Sequence, residues 1–565
     1  MSDFLRDATI STDYYFTNCN PIVMQISFKQ GCLDRRHFFS QFRPRSVVHL
    51  IAFIFVFVCF SLTPRLEVQA EPQVPKAGSQ APKSQAVEER DGVLSVDSLA
   101  RLKGGVHEFV LENGLKILFY ERHVAPVFSG IVSVRVGGVN ETLGKTGASH
   151  LFEHLAFKGT PEIGTSDYSR EKTLLKELEA LHGKVDFGQE LSPVEESKKL
   201  DLLAELNDLW KIEEFTNLYR KWGSHGMNAT TGKELTNYFS SFPITAFEFW
   251  CWMESERLMR PVARQFYKER DVVLEERRGR YENSPSGKLY EHLLGQAFQR
   301  HPYRNPVIGY EGDIRRLQPS DVMELHEEYY VASNIVVSVV GDLSVEDALP
   351  VVKRYFGRLR TGPRPESPDA AEPESVGEKR FSVEYDAEPV FFVGYRKPVY
   401  PDSKDVAISL FLEYALGSRV SPIFRELVLE RKLASSLGYF EAPSVAYPNL
   451  VVMYGEPIAP HSNDSLLRAF DQSLQELLKK EIPAHELKVI KRILMKDAIV
   501  GLASNMGLAR QLAELEQQFG SWRVMFDWYE QMFAVTPEEV RQVAQELLVP
   551  RGRTIGFLER KGGQL

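Results

Sequence analysis

The alternation of apolar and polar positions divides the chain into strand-like and helix-like stretches. His107-Glu108-Phe109-Val110-Leu111 and Leu115-Lys116-Ile117-Leu118-Phe119-Tyr120 flank Glu112-Asn113-Gly114, and Asn-Gly is a hairpin turn signal. Phe128 to Val136 predicts a third strand, ended by Gly137-Gly138. The stretch Gly147-Ala148-Ser149-His150-Leu151-Phe152-Glu153-His154-Leu155-Ala156-Phe157 is apolar nearly all round, as a buried helix is. Residues 169–182 place Leu174, Leu175, Leu178 and Leu181 at helical spacing. Ser192-Pro193-Val194-Glu195 is a capping box with Pro at the first helical position. The helix it opens is read as carrying Leu202, Leu203, Leu206, Leu209, Trp210 and Phe215, so the two stretches predict a helical hairpin. Its apolar stripe serves packing, or offers a lid or partner contact.

Further on, Asn228 to Phe239 begins polar and becomes strand-like, and Tyr267 to Arg278 reads as a charged helix. Residues 334–342 predict a strand and turn. Four prolines with Gly, Ser, Asp and Glu mark 361–378 as a linker. The remainder, 379–565, repeats the plan: strands at Phe381–Tyr385 and Val390–Tyr395, helices at 405–416, 464–478 and 484–500, and a last strand at 554–558. That last strand stands where the 334–340 strand stands in the first half, which suggests a degenerate duplication.

The N-terminal region changes the picture of where the protein resides. Residues 47–62 are an apolar run, preceded by Arg35, Arg36, Arg43 and Arg45 and followed by Val68-Gln69-Ala70. This predicts a signal peptide over residues 1–70, cleaved after Ala70, and a periplasmic or secreted product. The alternative is an uncleaved membrane anchor, although about 16 apolar residues are marginal for a span. The stretch before the run is long, and Met24 is a second candidate start. A flexible leader is expected over 71–103, rich in Pro, Ser, Gln and Ala, with structure from about Val106.

The 565 residues are 43% hydrophobic and 26% charged, ordinary for a globular protein with a sizeable core. A net charge of -9 argues against a nucleic-acid binder. Of the 4 cysteines, only Cys251 lies beyond Ala70, so no internal disulfide is expected after export. Cys251 sits in Phe247-Glu248-Phe249-Trp250-Cys251-Trp252-Met253 and reads as a buried thiol.

The candidate chemistry lies in the 148–157 helix. Residues three and four apart share a helix face, so His150 and His154 point the same way with Glu153 beside them. Two neutral imidazoles at this spacing can hold one zinc, and a carboxylate beside them can take a proton from an attacking water. The order H-x-x-E-H inverts the zinc-protease motif H-E-x-x-H. A solvated polar stripe is the bland alternative, but three ionisable groups on an apolar helix are costly unless paired or metal-bound. In the 267–278 helix, positions 269, 272, 273 and 276 share a face and read Glu-Val-Val-Glu, with Glu275 pointing elsewhere. Glu276 is the best third ligand, because a catalytic zinc takes three protein ligands and leaves one position open. Glu269 would then orient a ligand. Arg270, Arg277, Arg278 and Arg280 are expected on the solvated faces.

At these residues the sequence resembles the pitrilysin/insulinase family of zinc peptidases, in the branch of mitochondrial-processing-peptidase-like and bacterial two-domain subunits. The resemblance covers roughly residues 104–560. It rests on His150-x-x-Glu153-His154, Glu141 upstream, Phe157-Lys158-Gly159-Thr160 downstream, Asn228-Ala229-Thr230, Glu269 to Glu276, and His301-Pro302-Tyr303 through Gly309. The resemblance implies an α+β fold of two homologous α/β sandwich domains, each an antiparallel-rich sheet with helices packed on it, whose opposed halves close into a chamber. The expected division is a zinc-binding peptidase domain over 104–360, with a helical insertion at about 165–222, and an inactive homologous domain over 379–565. One Zn2+ per chain would be bound by His150, His154 and Glu276, with Glu153 as the base and Glu269 supporting the site. Asn228 and Ala229 fall where the family holds the substrate backbone. The implied activity is a zinc metalloendopeptidase acting on peptides or unfolded segments outside the cytoplasm. A non-catalytic assembly or peptide-binding subunit on the same fold is the alternative.

Two departures stand out. The interval from His154 to Glu276 is longer than the family's, and the helical hairpin accounts for the excess. The family's C-terminal domain also supplies an Arg and a Tyr to the substrate carbonyl. Aligned on Leu433-Ala434, those positions hold Val428 and Ser435, while Arg431 and Tyr439 lie nearby out of register. A homologous partner subunit supplying Arg and Tyr is therefore expected, as a heterodimer, with a homodimer as the alternative. No nucleic acid is expected, and a membrane only if the signal segment stays uncleaved.

Overall fold

A computed structural model describes residues 96–368 and 371–562. The apolar run 47–62, the signal segment 1–70 and the leader up to residue 95 lie outside the described residues. Among the described residues, no helix is long and apolar enough to cross a membrane.

The first half runs α1 (Val96–Gly105), β1 (Val106–Val110), β2 (Lys116–Glu121), β3 (Val127–Val134) and α2 (Ala148–Leu155). It continues with α3 (Tyr168–Asp186), α4 (Pro193–Leu209), α5 (Glu214–Lys221), β4 (His225–Thr231), β5 (Thr236–Pro243) and α6 (Phe247–Met259). After these come α7 (Phe266–Arg277), α8 (Pro285–Ala297), α9 (Glu311–Ile314), α10 (Pro319–Tyr329), β6 (Ile335–Gly341) and α11 (Val345–Phe356). The second half runs β7 (Lys379–Tyr385), β8 (Val390–Lys397), α12 (Ser403–Leu416), α13 (Pro422–Phe424), β9 (Ala434–Ala442) and β10 (Asn449–Pro457). It closes with α14 (Asn463–Leu478), α15 (Ala484–Leu502), α16 (Asn505–Phe519), α17 (Val524–Ala534), α18 (Pro537–Leu547) and β11 (Thr554–Arg560).

The two halves are α+β sandwiches of one topology. The first sheet has the order β1-β2-β6-β3-β5-β4 and the second β7-β11-β8-β10-β9. Without the added edge strand β1, the two match strand for strand. In each, the last strand of the half (β6 or β11) inserts parallel to the first (β2 or β7) and antiparallel to its other neighbour (β3 or β8).

Each sheet buries one face under its own helices and the other under a helix of the other half. Val132, Val134, Ile335, Val337 and Val339 pack with Phe152, Trp250 and Phe356 of the first half. On the opposite face, Leu118, Ile131, Val336 and Val340 join Leu508 and Leu512 of α16. Reciprocally, Leu289, Leu293 and Leu294 of α8 pack with Val383, Phe392, Val452 and Leu558 of the second sheet. Both faces of each sheet are thus covered, which explains why β6 is buried along its whole length.

Three expectations need correction. Residues 96–103, read as flexible leader, form the body of α1, since Leu102 packs against the core and Lys103 lies 5.4 Å from the Phe526 ring. The helix opened at Ser192 ends at Leu209 and does not reach Phe215. Trp210 turns into extended backbone, bridges to Thr165 and donates its Nε1 to Glu171 at 2.7 Å, so Phe215 belongs to α5. The third lies on α7, where Val273 and not Val272 is buried.

Candidate metal centre

The N-terminus of α2 is fixed before any ligand is placed. Glu141 is buried and accepts from Gly147 N at 2.8 Å and Ser149 N at 2.7 Å, satisfying donors that the helix leaves free. Burial outweighs these bonds and pushes its carboxyl up to about 7. Gly147, at φ 89, lies back to back with Gly309, at φ 90. A Cβ on Gly147 would lie 2.5 Å from Ile308 O, and one on Gly309 2.4 Å from Thr146 O, so the 309 loop seats the helix only with glycine at both positions.

His150, His154 and Glu276 converge, with their ligand atoms all within 4.8 Å of one another. The two imidazole centroids are 4.9 Å apart. Glu276 Oε2 lies 3.7 Å from His150 Nε2 and 3.5 Å from His154 Nε2. These gaps are long for hydrogen bonds. They suit a tetrahedral ion instead, since bonds of about 2.0–2.1 Å place neighbouring ligand atoms about 3.4 Å apart. Glu276 Oε2 is buried and has no hydrogen-bond partner among the described residues, as a carboxylate oxygen directed at a cation would be. The donor set fits zinc: two imidazole nitrogens and one carboxylate oxygen, with room for a fourth ligand.

Without a metal the three groups differ in charge, and His154 must give up a proton before it can bind the ion. Burial, then the neighbouring His154, holds His150 neutral, with its pKa lowered to about 3. Burial alone would lower His154 too, but the neighbouring carboxylates of Glu269 and Glu276 prevail and raise it to about 9. Burial opposes the ionisation of Glu276, yet His154, His150 and Arg280 bring it down to about 2. Arg280 also pairs with Glu276 Oε1, leaving Oε2 to the ligand cluster.

Glu269, two turns before Glu276 on α7, meets His154 Nδ1 at 3.4 Å through Oε2 and Lys158 Nζ at 2.6 Å through Oε1. Burial opposes its charge, but these two partners keep its pKa below the ordinary value. Glu269 therefore holds the imidazole of a ligand by its far nitrogen. Glu275 points away, 69% exposed and paired with Arg278.

The α7 face differs from the expected one at Val272, which is 42% exposed while Val273 is fully buried. Arg270 and Arg277, expected on solvated faces, are buried. Arg270 pairs with Asp186 and Arg277 with Glu291, because α7 is covered on a second side that the pattern does not reveal. Cys251 is buried and free of any disulfide.

Glu153 is buried on α2 beside the ligands and accepts a hydrogen bond from Thr231 Oγ1 at 2.6 Å through Oε2. Burial pushes its carboxyl up, and Thr231 partly offsets this. Thr231 was not singled out by sequence. The available signal was alternation: Thr231 lies two residues beyond Ala229 and shares its strand face. Lys158 and Arg280, which steady Glu269 and Glu276, were likewise missed as site residues. Ala229 is buried in the core, and Asn228 is exposed with its Oδ1 accepting from Ala229 N at 2.9 Å. Both sit on β4, the outermost strand of its sheet.

In the second half, Tyr439 donates its hydroxyl to Glu413 at 3.1 Å and Arg431 pairs with Glu426 at 2.8 Å. Val428 packs against the core of that half, and Ser435 bonds Glu456.

Comparison with known proteins agrees with this fold. Residues 316–494 match the family model described as the peptidase M16 inactive domain. The zinc protease PqqE of Helicobacter pylori is 26% identical over 462 residues, 80% of this chain and 93% of that protein. A probable mitochondrial-processing peptidase subunit beta of Schizosaccharomyces pombe is 25% identical over 251 residues, 44% of each chain. A solved structure of a protease from Helicobacter pylori superimposes with a TM-score of 0.68 at 24% identity, covering 80% of this chain and 99% of that one. The sheets and helices define a two-domain α+β protein of the peptidase M16 type. The matched domain model and these relatives support a likeness to the pitrilysin/insulinase family. The stretch matched by the inactive-domain model begins after His150, His154 and Glu276, so its description does not bear on them.

Proposed function

We propose that this chain is a zinc-dependent endopeptidase that cleaves peptides or unfolded polypeptide segments. The observation that carries the reading is the convergence of His150, His154 and Glu276 within 4.8 Å, with Glu153 on the same helix. A zinc ion bound there would supply Lewis acidity, polarising the scissile carbonyl and lowering the pKa of a water toward about 7. Thr231 occupies Glu153 Oε2, which leaves Oε1 to take the proton of the attacking water and return it to the departing amine. Glu269 and Lys158 keep the His154 ring oriented through the cycle. A peptide would add as a strand along β4, with Asn228 at its edge, and backbone pairing of this kind gives broad specificity.

The expected result for Glu153→Gln is zinc retained at wild-type stoichiometry, with turnover of an unstructured peptide lowered by about 100-fold or more. Undiminished cleavage by the zinc-loaded variant would sink the mechanism.

The engagement of Tyr439 with Glu413 and of Arg431 with Glu426 supports a further reading, that a homologous partner chain donates the oxyanion-stabilising Arg and Tyr. Adding that partner should raise turnover without changing metal content. High activity of the purified chain alone, lost on Tyr439→Phe, would refute the need for it. Export with cleavage after Ala70 would place the protein in the periplasm or outside the cell, and N-terminal sequencing from the native host tests it. A mature chain still carrying residues 47–62 would favour a membrane anchor.

A further inference from the structure

The α3–α4 hairpin, which lengthens the interval between His154 and Glu276, touches α7 directly and reaches the loop that leaves α2 through Arg264. At its base, Glu171 is fully buried and takes a two-point bond from Arg264, at 2.6 and 3.0 Å. The same guanidinium donates to the carbonyls of Lys158 at 2.7 Å, Ile163 at 2.8 Å and Thr160 at 2.7 Å, in the loop that leaves α2. Arg264 stands just before α7, so one buried side chain ties the exit of α2, the entry of α7 and the hairpin together. Lys158 in that loop is also the residue that holds Glu269.

Near the other end of α3, His182 stacks on Tyr267 of α7 with centroids 3.5 Å apart. Asp186 accepts from Arg270 of α7 at 2.7 and 3.1 Å, and from Gln318 at 2.8 Å. Both contacts fall on the first half of α7, the helix that carries Glu269 and Glu276. The leucine stripe that a lid would need is used inside the hairpin, where Leu174, Leu178 and Leu181 pack on Leu202 and Leu206, with Tyr267 against them.

We propose that the hairpin is a brace that fixes the separation of α2 and α7, with Asp186 and His182 as positioning residues for the third metal ligand. The inference rests on the reading of His150, His154 and Glu276 as a zinc site. α7 is also packed in the core through Val273 and Leu274 and tied by Arg277 to Glu291. The attachments from α3 to Tyr267 and Arg270 add a hold on its first half, so Glu276 is preorganised before the ion arrives.

The test uses the full chain, stripped of metal, with zinc affinity read by competition against a chromophoric chelator and unfolding followed in urea without metal. Asp186→Ala and His182→Ala should each weaken zinc binding by about tenfold or more, the scale expected when support of a ligand is lost. Asp186→Asn, which keeps an acceptor oxygen for Arg270, should restore part of that loss. Glu205→Ala, which removes only the exposed pair with Arg170 within the hairpin, should leave zinc affinity unchanged. Lower unfolding midpoints with zinc affinities within twofold of wild type would overturn the brace, because a merely stabilising hairpin behaves that way. If Asp186→Ala does not fold, His182→Ala decides alone. Failure of the wild type to take up zinc would overturn the site reading itself, and the brace with it.

Discussion

Exchanging Glu276 for Gln, with Glu275→Gln as its twin, isolates the third ligand with the least steric change. The two side chains are adjacent in sequence and opposite in environment: Glu276 is 15% exposed and Glu275 69% exposed. Glu276 supplies the only anionic donor of the cluster, 3.7 and 3.5 Å from the two imidazole nitrogens. Its amide analogue keeps the shape and an oxygen but loses the charge. Loss of partners outside the ligand set typically costs 10–100-fold in metal affinity, so loss of a charged ligand should cost more than about 100-fold, about 2.8 kcal/mol. One effect runs the other way. Glu276 helps to hold His154 protonated in the metal-free protein, so removing it frees that ring to bind and offsets part of the loss. For Glu275→Gln, only an exposed pair with Arg278 is lost, and zinc affinity should stay within about twofold. The assay is chelator competition at pH 7.5 on metal-stripped full chain, with circular dichroism to confirm folding. A Glu276→Gln protein that binds zinc within fivefold of wild type, or a Glu275→Gln protein that loses it, would refute the ligand assignment and the orientation of α7 behind it.

Two further outcomes follow from single contacts. Thr231→Val should lower kcat by about tenfold or more with KM and zinc content unchanged, as loss of a hydrogen bond to a charged group worth about 1.5–3 kcal/mol implies, and Thr231→Ser should recover it. An equal loss in Thr231→Ser would assign the effect to packing. Glu514 of α16 accepts from Asn237 of β5 at 2.9 Å, and burial raises its pKa to about 7. Because the folded value lies above the unfolded one near 4.5, the folded state holds the proton more tightly, and this group's stabilisation is lost as pH rises from about 4.5 to 7. Glu514→Gln should therefore gain stability relative to wild type between pH 5 and pH 8 in urea unfolding, and a difference independent of pH would contradict the assignment.

The motif helix was legible because its information is local: three residues within one turn and a half of helix define a face. Glu276 was legible for a similar reason, through the recurrence of a carboxylate after two turns. The same pattern misplaced Val272, since a face drawn through 269, 273 and 276 can extend to either side. The side chosen in the structure is that of Arg270 and Leu274, because α3 covers it with His182 and Asp186. The end of α4 was missed because Trp210 leaves the helix for a partner on α3, and no local signal announces Glu171 as its acceptor. The placing of α8 under the second sheet and α16 under the first was beyond reach as well. Such a contact pairs apolar faces that are distant in sequence, and either helix pattern is equally compatible with packing on its own half.

The strand registers show what became of the corresponding site in the second half. Ile335 and Ile555 occupy the same face of the central strands, each buried under the helices of its own half. From Ile335, pairing leads to Val134, Thr236 and Thr231; from Ile555 it leads to Val393, Met453 and Tyr439. Tyr439 and Thr231 thus lie on equivalent faces of corresponding strands. Thr231 donates to Glu153 of α2, and Tyr439 donates to Glu413 of α12, the helix in the place of α2. Glu413 therefore corresponds to Glu153, and the positions three before and one after it hold Leu410 and Tyr414 instead of His150 and His154. Leu410 is fully buried in the apolar core. The second half has kept the bond from strand hydroxyl to helix carboxylate and has lost both imidazoles. A carboxylate without imidazoles can position a neighbour but cannot complete a zinc site. Among the described residues the only cluster suited to a metal is accordingly the one in the first half.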